Sequence, residues 1–156
     1  MNRAQRLIQA GQELLDSHHL AQAAECFEEA VAALLGSGGK PSAQLLSSWG
    51  YTMALGLKEY DKGLEICSRA AEKEPSDADL FSKLGDVYLA CGDKFHAHRT
   101  FSQGLKQNPR HRRMQEQLLK LGVRKPPPVP FLPRRHFLNR TLGRLWAGYP
   151  RLFSRS

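Results

Sequence analysis

The side chains of this chain that could do chemistry are few. They are three cysteines (Cys26, Cys67, Cys91) and two tight histidine groups, His18-His19 and His96-Ala97-His98. A metal centre needs ligands converging from one face. Adjacent residues of a helix point about 100° apart, and residues two apart do not share a helical face. The histidines are therefore expected to face solvent. No paired-cysteine motif has zinc spacing, no glycine-rich loop could cradle a phosphate, and no Ser or Cys sits in a nucleophile signature. The chain reads as non-enzymatic, with no catalytic residue, no metal and no cofactor expected. The odd cysteines fall within expected helices, which predicts buried thiols in a reducing compartment rather than a disulfide framework.

Charge is the next chemical resource, and it is unevenly placed. The net charge is +8 over 156 residues, yet residues 1–111 hold 12 Lys or Arg against 14 Asp or Glu. Residues 112–156 hold 11 basic residues and only Glu116 as an acid. A near-neutral body therefore precedes a strongly basic end. Arg3, Arg6, Glu13 and Asp16 interrupt any leading apolar run, so a signal peptide is not expected. No segment approaches the roughly 20 apolar residues that span a bilayer. The expected location is cytoplasmic, with peripheral attachment to the inner face of a membrane as a variant.

The elements that position these groups show in residues 78–111. Phe81, Leu84, Gly85, Tyr88, Ala97, Phe101 and Pro109 lie 3, 6, 7, 10, 19, 23 and 31 residues after Ala78. That spacing resembles a tetratricopeptide repeat, a 34-residue helix–turn–helix unit. Earlier copies are in phase: Gly11, Ala23, Phe27 and Ala30, then Gly50, Gly63, Cys67 and Ala70 with Pro75 at the end. The steps are uneven, 39 then 35 from Gly11 through Gly50 to Gly85 and 40 then 34 from Ala30 through Ala70 to Gly104, and two insertions explain both offsets. One is the loop Gly36-Ser37-Gly38-Gly39-Lys40-Pro41, and the other is one extra residue in the middle turn near Gly56 to Tyr60.

The expected fold is all-α: a right-handed α-solenoid of three such repeats (about 4–37, 43–77 and 78–111) with a capping helix at 112–121. Small residues such as Ala23, Gly63 and Ala97 let paired helices approach, Phe27 and Phe101 fill the space between hairpins, and Met114, Leu118 and Leu121 form the cap's apolar stripe. The expected division is a repeat domain, 1–121, and a basic tail, 122–156.

The tail has two parts. Five prolines in 124–135 favour an extended polyproline path, either a stiff spacer or a docking segment. Residues 136–147 read as an amphipathic helix, with Phe137, Leu138, Leu142, Leu145 and Trp146 on one stripe. Phe131, Leu132, Arg134 and Arg135 join these as candidate docking residues. The expected receivers are the repeat domain itself, a second copy or other protein, or an anionic membrane. Nucleic acid is the weakest candidate, because no reader motif accompanies the charge.

The resemblance implies that the first helix of each repeat lines a concave groove for a peptide or helix. The lining residues would be Ile8, Gln12 and Leu15, then Ser47, Tyr51 and Leu55, then Ser82, Asp86 and Leu89. The family's carboxylate clamp would map to Ile8, Gln12, Ser48, Asp79 and Lys83; only Lys83 has a suitable charge, and Asp79 would repel a carboxylate. An acid-tinged groove suits a basic peptide instead. The expected function is thus a protein-binding adaptor or scaffold, with a partner protein or peptide and self-association through the tail. The alternatives are a chaperone like the compact three-repeat chaperones of type III secretion, and a peripheral membrane assembly factor.

Overall fold

The computed structural model describes residues 2–122, and the candidate docking residues of the tail, Phe131 to Trp146, lie outside that range. The described residues form α1 (Arg3–Asp16), α2 (Leu20–Gly36), α3 (Ala43–Thr52), α4 (Tyr60–Lys73), α5 (Ala78–Ala90), α6 (Lys94–Gln107) and α7 (Arg112–Leu121). A five-residue π-helical turn, Met53–Leu57, continues α3. There is no strand among the described residues. The all-α expectation holds.

Local chemistry sets the helix starts. Asn2 and Gln5 form a reciprocal capping box on α1, and Ser42, Asp77 and Asp93 each accept a backbone N–H at the start of α3, α5 and α6. The turns inside the hairpins share one feature. His18, Lys58 and Gly92 all have positive φ, at 62°, 63° and 81°, and each stands two residues before its second helix. Only the third hairpin places glycine there, where glycine carries no steric penalty.

The helices pack as successive hairpins, α1 on α2, α3 on α4 and α5 on α6, with α3 touching both α2 and α5. Each hairpin closes on a glycine. A Cβ on Gly11 would sit 2.7 Å from the Phe27 ring, and one on Gly85 would sit 2.3 Å from the Phe101 ring. In the middle hairpin the same place holds Gly50, whose Cβ would meet Cys67 Sγ and the Gly63 carbonyl at 2.9 Å each. These partners are 16 residues apart in the first and third hairpins and 17 in the middle one. The extra residue expected near Gly56 to Tyr60 is absorbed as the π turn, slightly earlier, because a wider turn keeps Gly50 facing Cys67 without lengthening the loop.

The core holds Phe27, Val31 and Leu45 in one cluster, and Leu80, Val87, Phe101 and Met114 in the other. Met114 is fully buried, where a Cβ on Gly104 would meet its sulfur at 2.6 Å. One expectation about the thiols is corrected. Cys67 is buried and Cys26 partly so, but Cys91 is exposed, because it ends α5 and stands in the turn to α6.

Candidate concave interaction face

The nine groove residues separate into three groups. Ile8 and Leu15 lie half-buried against the Phe27 cluster, and Tyr51, Leu55 and Leu89 lie half-buried against the larger core. These five apolar side chains come from α1, α3 with its π turn, and α5. Gln12 is exposed and donates to Asp16 Oδ1 at 2.9 Å. Ser47, Ser82 and Asp86 are buried, so they offer little surface to a partner. The Ser47 carbonyl accepts from Cys67 Sγ at 3.5 Å.

Helix α7 supplies residues that the groove reading did not contain. Arg113 Nη2 lies 2.7 Å from Asp86 Oδ2 and reaches the Tyr51 hydroxyl at 3.5 Å. Gln117 donates to Asp86 Oδ1 at a long 3.4 Å. The Arg113 contact is a close ion pair, short enough to be charge-assisted. Burial pushes the Asp86 carboxyl above its ordinary range, with Arg113 pulling the other way. Burial likewise opposes the charge on Arg113, yet Asp86 and Tyr51 leave its guanidinium above its ordinary value.

His111, just ahead of α7, holds the other acid. Its Nδ1 accepts from the Met114 N–H at 3.3 Å, so its Nε2 carries the hydrogen donated to Asp79 Oδ1 at 2.8 Å. Both α5 acids of the expected acid-tinged face are therefore engaged from the α7 side. Lys83 donates to Ser48 Oγ at 2.7 Å, and burial lowers its ammonium pKa. A signal for these partners was present in the sequence: Arg113 and Gln117 stand 34 residues after Asp79 and Lys83, the repeat length itself.

The remaining reactive groups do not converge. His18, His19, His96 and His98 are exposed. His96 pairs with Asp93 at 2.6 Å and stacks on Tyr88 with ring centroids 5.4 Å apart. Among the described residues no three metal-binding side chains cluster, and no helix is long and apolar enough to cross a membrane. Burial raises the Cys67 thiol to about 12, which leaves it protonated at neutral pH. A cleft of about 430 Å³ runs between α4 and α6, floored by Phe81, Leu84 and Tyr88.

No protein-family model matches the chain. No curated protein matches it either. Solved structures do. The second TPR domain of human RPAP3, solved in complex with the HSP70 peptide SGPTIEEVD, is 19% identical with a TM-score of 0.63, over 78% of this chain and 96% of that one. The Sgt2 TPR domain from Aspergillus fumigatus is 14% identical with a TM-score of 0.65, over 100% of this chain and 90% of that one. The TPR2B domain of yeast Sti1, solved in a pHsp70 complex, is 15% identical with a TM-score of 0.62, over 76% and 95%. The chain is a tetratricopeptide-repeat solenoid in fold, as its spacing implies.

Proposed function

We propose that the chain is a non-enzymatic interaction scaffold whose concave face receives a peptide or helix, and whose basic tail supplies or recruits what it holds. One observation carries this reading. Ile8, Leu15, Tyr51, Leu55 and Leu89 come from the first helices of three consecutive hairpins, and each keeps part of its apolar surface in solvent. Peptide complexes of the RPAP3 and Sti1 domains support a peptide as the ligand class. The chemistry differs from a carboxylate grip, since Ile8 is apolar, Asp79 is anionic and Lys83 is engaged by Ser48. The charge of the chain supports a basic ligand drawn from residues 123–156, which hold eight Lys or Arg and no acid.

A labelled synthetic peptide of residues 131–147, titrated into the protein, tests the reading. Leu15→Glu and Leu89→Glu should weaken its binding at least tenfold. Leu35→Glu, at a position 58% exposed on α2, should leave it unchanged. Deleting 123–156 should strengthen the titration by removing the resident competitor. Equal binding by all three variants would place the ligand on another surface.

A further inference from the structure

The cleft between α4 and α6 gathers five polar side chains that are committed to nothing. Ser68 and Glu72 come from α4, and Arg99, Thr100 and Gln103 from α6. None of the five makes a side-chain hydrogen bond or ion pair with another described residue. Helical hydroxyls elsewhere in the protein turn back on their own helix. Thr52 donates to the Ser48 carbonyl at 2.9 Å, and Ser102 donates to the His98 carbonyl at 2.8 Å. Ser68 and Thr100 do not, although Thr100 is only 8% exposed. The two walls also differ in sign, with the acid of Glu72 on α4 and the guanidinium of Arg99 on α6. One end of the floor is held in place: Tyr88 stacks on His96, which Asp93 grips at 2.6 Å.

We propose that this cleft binds a small apolar zwitterion, an amino acid or a dipeptide. Its carboxylate pairs with Arg99, its ammonium with Glu72, and its apolar side chain lies against Tyr88. The walls select this class. A guanidinium fork matches a carboxylate, and an ammonium needs only acceptors, which Glu72 and the Ser68 hydroxyl offer. The Thr100 hydroxyl and the Gln103 amide can each donate and accept, as the amide of a dipeptide requires. The volume of about 430 Å³ lies within the range of small-ligand pockets, about 300–1,000 Å³. None of the apolar residues of the concave face lines this cleft, so the site is separate from that face.

Calorimetric titration of the full chain with L-phenylalanine and with L-leucyl-L-phenylalanine tests the assignment. The same two ligands with the amine acetylated, or with the carboxylate converted to an amide, report on each charge. In the wild type, each blocked form should bind about fivefold more weakly than the free zwitterion, the order expected of one partly exposed ion pair. Glu72→Gln should erase the difference between free and acetylated forms while keeping the difference between free and amidated forms. Arg99→Gln should do the reverse. Both side chains are exposed, so neither change should disturb the fold. Thr100→Val keeps the shape of the side chain and should weaken the dipeptide more than the amino acid.

Tighter binding of phenylalanine supports a free amino acid as the ligand, and tighter binding of the dipeptide supports a short peptide. No saturable binding of either, up to their solubility limits, overturns the site. Equal binding of free and blocked forms in the wild type overturns the charge assignment. Charge preferences that survive unchanged in both Glu72→Gln and Arg99→Gln place the ligand elsewhere and overturn the proposal.

Discussion

The middle hairpin and the two outer ones solve one packing problem with different atoms. In the first and third, a glycine of the leading helix faces a phenylalanine ring, Gly11 on Phe27 and Gly85 on Phe101. In the middle, Cys67 replaces the ring, and the helices meet backbone to backbone. A Cβ on Gly63 would strike the Gly50 carbonyl and the Ala54 methyl at 2.6 Å each. A ring can tilt to make room, but a peptide carbonyl in a helix cannot. Equal glycine positions therefore mean unequal tolerance.

The largest break in this comparison comes from the ring. Phe101→Ala should cost about 4 kcal/mol in chemical denaturation, whereas Cys67→Ala should cost about 1 kcal/mol, because far less volume is vacated. A double substitution sharpens it. Gly85→Ala should be destabilising alone, yet neutral or stabilising once Phe101→Ala has opened the space its methyl needs. Next in size is Gly63→Ala. It gains helix propensity, but the carbonyl clash should leave a net loss of about 2 kcal/mol. A melting temperature equal to wild type would show that the middle hairpin yields after all.

Smaller effects separate the α7 contacts and the turns. Because burial raises the folded-state pKa of Asp86, the folded protein binds this proton more tightly than the unfolded chain. Wild type should therefore gain stability relative to Asp86→Asn as pH falls through that raised value towards the ordinary 3.8. A flat difference between melts at pH 7 and pH 4 would contradict it. Smallest of all, His18→Gly and Lys58→Gly should each stabilise by about 0.5 kcal/mol, by relieving left-handed strain at an entropic cost. The third hairpin, with Gly92 already in place, sets the reference.

Much of this was readable without coordinates. Gly85, Ala97 and Phe101 declare the hairpin through spacing alone, since each packs against a residue of its own repeat. The fully buried Met114 follows from the α7 stripe. Arg113 and His111 were harder to read. Arg113 falls on a polar face of α7 and His111 stands just ahead of that helix, and nothing local says that their partners are Asp86 and Asp79, 27 and 32 residues back. The burial of Ser47 and Ser82 was equally hidden, because small hydroxyl residues suit a tight core and an open groove alike. Cys91 was misread because apolar periodicity does not register where a helix stops.

The π turn at Met53–Leu57 places Gly56 where any Cβ would meet the Leu20 carbonyl carbon at 2.6 Å and the Ala21 nitrogen at 2.7 Å. An insertion usually disappears into a loop and leaves its neighbours as they were. This one became a seam, with main chain of the second repeat pressed on main chain of the first. Excising one residue from 53–57 would restore the 16-residue interval of the sister hairpins and withdraw Gly56 from that seam in the same stroke. The odd residue is thus more than a surplus in a loop: it joins the first two repeats along their main chains.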